Sequence, residues 1–257
     1  MISDIYTIWL REMIRYVRAK SRIITSLAMP FLWLALLGTA LGSMMERSPF
    51  LPPGMNYVQY IAPGIIGMAI LFTSLFAGVS IIFDREFGFL KEILVAPVSR
   101  VSIVLGKALG GTTTSMIQGL IMFGFALFLG VTFKSEFGAI GGFFMSILFM
   151  FLIGLTFVSI GVAIASKIES MEGFQAIMSF LIMPMFFLSG ALYPIEVLPD
   201  WLRVLTYFDP LTYGVDGLRY AIQGAEVAQF PILLDFGVLV IFSVCLVLLG
   251  AYLFKKS

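Results

Sequence analysis

Residues 84–100 read DREFGFLKEILVAPVSR and separate two long apolar stretches, at residues 58–83 and 108–133. Each flanking stretch holds the roughly 20 apolar residues that a helix needs to cross a hydrocarbon core of about 30 Å. The chain has four more stretches of this kind, at 23–45, 137–166, 174–194 and 231–254. The sequence therefore predicts an all-α integral membrane protein with six transmembrane helices and a charged loop between spans two and three.

The overall composition agrees with a membrane protein. Of 257 residues, 60% are apolar and 12% are charged, whereas soluble domains average about 45–50% and about 25%. We therefore expect residues 1–257 to form a single transmembrane domain. Histidine is absent and Cys245 is the one cysteine, which excludes catalytic triads, histidine metal sites and disulfides. We expect no enzymatic site and no cofactor on this chain, and the formal net charge of +1 does not indicate a nucleic-acid partner.

The distribution of basic residues predicts the orientation. Twelve Lys and Arg residues lie in the N-terminus, 84–107, 167–173 and the C-terminus, and four lie in the other connections. Cytoplasmic loops carry the excess of positive charge. We therefore expect both termini to be cytoplasmic.

Residues 1–22 are predicted to form an amphipathic interfacial helix. Aromatic and aliphatic residues, Trp9 among them, lie opposite a narrow arginine face; the arginines are Arg11, Arg15, Arg18 and Arg22. Such a helix lies along the inner leaflet with its arginines towards lipid phosphates. A docking surface for a cytoplasmic partner is the alternative.

The loop at 84–100 is predicted to contain a short helix. Asp84 and Glu86 would lie in its first turn, where a helix favours negative charge, and Pro97 would end it. Ser99 would cap the next helix. Leu90 and Leu94 form an apolar edge, covered either by a partner or by the membrane bundle.

Small and polar residues inside the spans are open to two interpretations. Ser115 and Gln118 share one face of span three and could line a substrate pathway or only pack against another helix. The pairs Gly38/Gly42, Ser74/Gly78 and Gly106/Gly110 are typical of helix contacts. One of these pairs is a candidate dimer seam.

Two motifs together carry a family resemblance. The loop motif continues into IVLGKALGG at 103–111, and residues 198–222 read LPDWLRVLTYFDPLTYGVDGLRYAI. In this order and placement they closely resemble the type-2 ABC exporter permease family, which includes drug-resistance, lipo-oligosaccharide and polysaccharide export permeases. The resemblance covers essentially the whole chain.

The resemblance implies roles for both motifs. Loop 84–100 would be the coupling helix that sits in a groove of a nucleotide-binding subunit; its coupling residues would be Arg85, Glu86, Gly88, Leu90, Lys91, Glu92, Leu94 and Pro97. Segment 195–230 would form outer re-entrant or amphipathic helices, with Pro199, Trp201, Asp209, Pro210, Tyr213, Asp216 and Arg219 as their characteristic residues. Two six-span chains, here a homodimer, and two ATPase subunits would make the exporter.

This chain has no G-x-x-x-x-G-K-[ST] phosphate loop, so ATP and Mg²⁺ would bind to the partner subunit. The expected cargo is a small amphipathic, lipid or glycan molecule. A non-transporting scaffold, a membrane-embedded enzyme and a channel or secondary carrier are the alternatives. A carrier needs a buried carboxylate near the middle of the membrane, and the sequence shows no ionisable residue deep in a span.

Overall fold

The computed structural model describes residues 2–42, 51, 55–86, 98–168 and 170–255. Within these residues the chain forms ten α-helices and one 3-10 turn (Ile195–Val197), and no strand. The helices are α1 (Ile2–Arg18), α2 (Lys20–Ala40), α3 (Tyr57–Ala77), α4 (Val79–Glu86), α5 (Arg100–Phe128), α6 (Gly138–Ala165), α7 (Met171–Leu188), α8 (Asp200–Thr206), α9 (Pro210–Gln223) and α10 (Ile232–Lys255).

In the described part of the chain, six helical stretches are long and apolar enough to cross a membrane: Ile23–Ala40, Tyr57–Glu86, Arg100–Phe128, Gly138–Ala165, Met171–Leu188 and Ile232–Leu253. The predicted all-α fold with six spans is therefore confirmed. The bounds differ most at the third span, which begins at Arg100 instead of residue 108. Ser99 caps this helix, as predicted, and its hydroxyl accepts a hydrogen bond from Ser102 N at 3.0 Å.

One local prediction is wrong. Asp84 and Glu86 do not start a new helix, because α4 continues the second span and both carboxylates lie in its last turn. The end of a helix disfavours negative charge, so Asp84 requires compensation from outside its own helix. Basic residues of α1 and α5 supply it, as described below.

The most buried spans are those of α3 with α4 and of α6, and α5 packs against both. The spans of α2, α7 and α10 expose most of their surface. Their exposed side chains are large and apolar, as at Leu36, Phe180 and Leu248. Surfaces of this kind suit a lipid environment or contact with another membrane chain.

The segment between the fifth and sixth spans contains one exposed helix and one buried helix. Helix α8 exposes Trp201 and Val204, whereas nearly every residue of α9 is buried. Helix α9 packs against α3, α6 and α10. Helix α9 is therefore inserted among the spans and does not lie on their surface.

Candidate functional site

The buried carboxylate of Asp84 binds three basic side chains. Its Oδ2 lies 2.6 Å from Nζ of Lys107, and its Oδ1 lies 2.5 Å from Arg11 and 3.2 Å from Arg15. The side chain of Asp84 is 1% exposed. The ionic cluster of Asp84, Lys107, Arg11 and Arg15 therefore joins α1, α4 and α5 at the last turn of α4, where loop 84–100 begins.

Lys107 is held from several sides. Its ammonium group donates to Ser80 Oγ at 3.1 Å and lies 3.6 Å from Glu12 Oε1. A buried cation is stable only where opposite charge and hydrogen-bond acceptors surround it. The burial of Lys107 was not predicted from the sequence.

Two glycines of α5 let α1 approach closely. A Cβ atom at Gly106 would lie 2.7 Å from Ile8 Cβ, and one at Gly110 would lie 2.8 Å from Glu12 Cβ. Successive turns of α1 therefore pack on successive turns of α5. Trp9 Nε1 adds a hydrogen bond of 3.0 Å to Thr113.

This packing corrects the prediction for the arginine face of α1. Arg11 and Arg15 point into the ionic cluster instead of towards lipid phosphates, while Arg18 is exposed. The side chain of Arg22 lies outside the described part of the chain. The opposite surface of α1 exposes Ile2, Tyr6, Leu10, Ile14 and Val17, an apolar stripe suited to a membrane interface.

Each of the three small-residue pairs makes at least one close contact within the chain. Besides Gly106 and Gly110 against α1, Gly78 faces the backbone of Gly161, and Gly38 faces Val58. Around Gly42 the described chain leaves open space.

Arg85 ties the end of the second span to the end of the fourth. Its guanidinium donates to the carbonyl oxygens of Ile168 and Ser166, both at 3.2 Å. These carbonyls follow α6, where a helix end favours a cation. Of the other predicted coupling residues, Glu86 ends α4; Gly88, Leu90, Lys91, Glu92, Leu94 and Pro97 lie outside the described residues.

The structure separates the two predicted pathway residues. Ser115 is fully buried, donates to Thr112 O at 2.9 Å and faces Gly154 of α6. Gln118 donates to the hydroxyl of Tyr16 at 3.0 Å and lines a cleft of about 910 Å³. Their role in a pathway stays a prediction.

A second polar cluster holds α9 inside the bundle. Arg219 is buried, donates to Gly190 O at 2.8 Å and stacks over the ring of Tyr60 at 4.4 Å. Asp216 pairs with Arg219 at 3.5 Å and accepts backbone hydrogen bonds from Gln229 and Phe230. These bonds fasten α9 to the chain that leads into α10.

The remaining predicted residues of the outer segment lie either at α9 or on the surface. Asp209 caps α9 by accepting from Leu211 N at 2.9 Å, and Pro210 occupies the first turn. Tyr213 donates to Tyr207 O at 2.9 Å. Pro199 and Trp201 are exposed.

Two carboxyl groups at α9, those of Asp209 and Asp216, have a pKa above the ordinary value of aspartate. Burial raises the pKa of Asp209 to about 8, against a smaller opposing effect of the Leu211 N–H. Burial also raises the pKa of Asp216, although Arg219 opposes it. Among the described residues, no three His, Cys, Asp or Glu side chains are placed to hold a metal ion.

Sequence comparisons agree with the two motifs. The model of the ABC-2 type transporter family matches residues 3–222. The putative transport permease ycf38 of Cyanophora paradoxa is 32% identical over 99% of this chain and 89% of its own length. The inner membrane transport permease YadH of Escherichia coli K12 is 26% identical over 98% and 94%, and nodulation protein J of Rhizobium leguminosarum bv. viciae is 26% identical over 97% and 93%.

Proposed function

Because this chain belongs to the ABC-2 type transporter family, we propose that it is the membrane subunit of an exporter driven by separate ATPase subunits. Two copies of the chain would form the pathway, and two ATPase subunits would bind at loop 84–100. ATP and Mg²⁺ would bind to those subunits. The cargo would be a small amphipathic, lipid or glycan molecule.

One structural relationship carries this proposal: the ionic cluster of Asp84 lies at the base of loop 84–100. Movement of that loop by a partner would act on α4, and the bonds of Asp84 to Lys107 and Arg11 would pass it to α5 and α1. Arg85 would pass it to the end of α6. Packed elements with defined contacts move as units and transmit displacement in this way.

The proposed orientation places the ionic cluster on the cytoplasmic side of the membrane. It rests on the twelve-to-four distribution of Lys and Arg, which puts both termini and loop 84–100 on the cytoplasmic side of the inner membrane. Helix α9 would then lie near the outer face. Its buried position, held by Arg219 and Asp216, supports a role in closing the outer end of the pathway.

The proposal is tested with the chain and its cognate ATPase reconstituted together in vesicles. Glu92→Ala and Leu90→Ala are expected to lower the ATPase rate while the permease remains folded and membrane-inserted. A matched substitution in exposed α8, Val204→Ala, is expected to leave the rate unchanged. Unaltered rates in both loop variants would contradict coupling through loop 84–100, and failure of the chain to co-purify with any ATPase would favour a scaffold or carrier.

A further inference from the structure

A cleft within one protomer has the size and composition of a ligand site. It measures about 910 Å³ and lies among α1, α2, α3, α4 and α5, with the first turns of α7 at its edge. Its walls are mainly apolar; Met29, Phe72 and Phe76 are examples. Small-molecule sites commonly occupy about 300–1,000 Å³ and combine apolar walls with a few placed polar groups.

The cleft extends from the ionic cluster towards the middle of the third span. Lys107 and Gln118 both line it, and they are separated along α5 by about 16 Å at 1.5 Å per residue. That distance is about half of a hydrocarbon core of roughly 30 Å. The cleft therefore has a depth comparable to one leaflet.

Two polar atoms at the cleft are buried without a hydrogen-bond partner among the described residues: Gln118 Oε1 and Thr73 Oγ1. Gln118 is 1% exposed, and its amide nitrogen is already used by Tyr16. Buried polar atoms are nearly always paired. The amide oxygen of Gln118 can only accept a hydrogen bond, so its missing partner is a donor.

The charged side chains at the cleft indicate which kind of donor group a ligand would carry. The charged side chains that line the cleft are two basic and two acidic residues already paired with one another, so a cationic ligand would find no free counter-charge; they are Arg15, Lys107, Glu12 and Asp84. An anionic group would face the unpaired acceptors and is disfavoured as well. Uncharged hydroxyl groups satisfy both conditions.

We propose that this cleft binds an uncharged amphiphile whose hydroxyl groups donate to Gln118, with Thr73 as a further contact. The apolar part of the ligand would lie against Met29, Phe72 and Phe76. This inference deepens the proposed function, because it names the class of ligand that a single copy of the chain would bind. It rests on the proposed function only for the assumption that the chain lies in a membrane.

The test uses the full chain in lipid nanodiscs without an ATPase, so that its failure is independent of the coupling test. Binding of radiolabelled n-octyl glucoside, below its micellar concentration, is measured by equilibrium dialysis against empty nanodiscs. We expect a saturable component of one molecule per protomer. Octyltrimethylammonium and octyl sulfate, matched in chain length, are expected to show none.

Two variants locate the binding. Gln118→Leu and Thr73→Val should each weaken glucoside binding about fivefold, the value of one hydrogen bond. Gln229→Leu, the same type of change outside the cleft, should leave it unaltered. Absence of saturable binding, equal binding of a charged probe, or unchanged affinity in Thr73→Val and any folded Gln118→Leu would overturn the proposal.

Discussion

Lys107 Nζ lies 2.6 Å from Asp84 Oδ2, and neither side chain exposes more than 2% of its surface. The pair joins the helices on either side of loop 84–100. Its two charges compensate each other in an environment where either alone would be strongly destabilising. The pair therefore predicts that substitution of both residues destabilises the protein by less than the sum of the two single substitutions.

Lys107→Met is expected to lower the free energy of unfolding by roughly 3 kcal/mol, because it removes the central partner of a buried carboxylate. Asp84→Leu should cost a similar amount, since Arg11, Arg15 and Lys107 would then lack their shared acceptor. The double variant should be less destabilised than the sum of the two. Denaturant unfolding in detergent micelles measures all three, and additive losses would show that the pair does not interact.

The six spans were predictable because 20-residue apolar runs and the positive charges beside them depend on local sequence alone. The ionic cluster was not predictable in this way. Asp84 meets Arg11, which is 73 residues away, and only the packed fold brings them together. Its position at the start of a charged loop instead suggested the first turn of a new helix.

The same limit applies to the α9 segment. Its prolines and mixed polarity identified short helices, but the pattern is the same for a helix on the membrane surface and one inside the bundle. Burial of α9 depends on specific partners for its polar groups: the Gly190 carbonyl for Arg219 and two backbone N–H groups for Asp216. Such partners come from distant parts of the chain and leave no local periodicity.

The close packing of α1 on α5 predicts a disulfide. In a Cys245→Ser background, Ile8→Cys with Gly106→Cys should form an intramolecular bond under mild oxidation. The Cβ positions lie 2.7 Å apart, and a shift of about 1 Å reaches the usual separation of about 3.8 Å. Mass spectrometry of the digested protein would detect the linked peptides.

The control pairs Gly106→Cys with Ile14→Cys, which lies on the exposed stripe of α1. That pair should remain reduced under the same conditions. Equal cross-linking of both pairs, or of neither, would indicate that α1 lies away from α5 on the membrane surface.

The raised pKa of Asp209, about 8 because of burial, predicts a loss of stability with rising pH. The folded state keeps the proton between about pH 4 and 8, whereas the unfolded chain, with an ordinary pKa near 3.9, releases it. This group therefore stabilises the fold below about pH 4, and its contribution falls by up to about 1.4 kcal/mol per pH unit until about pH 8. Asp216, whose pKa burial also raises, adds the same sign.

Asp209→Asn should flatten this dependence, because the amide keeps the cap to Leu211 N and does not ionise. Thermal unfolding midpoints from pH 5 to 8 measure the effect. Asp209→Ala is the control for capping and should be about 1 kcal/mol less stable than the Asn variant, with a similarly flattened slope. An unchanged slope in the Asn variant would show that Asp209 is not the titrating group.

The contact between Gly217 of α9 and Phe149 of α6 predicts a second pair of substitutions that compensate each other. A Cβ atom at Gly217 would overlap the Phe149 ring, so Gly217→Ala should destabilise the protein by about 1–3 kcal/mol through overpacking. Phe149→Leu should recover part of that loss in the double variant. Gly237→Ala is the matched control, because nothing lies within 4 Å of its Cβ position and alanine favours a helix interior. Equal unfolding midpoints for Gly217→Ala and Gly237→Ala would show that α9 does not pack against α6 at this contact.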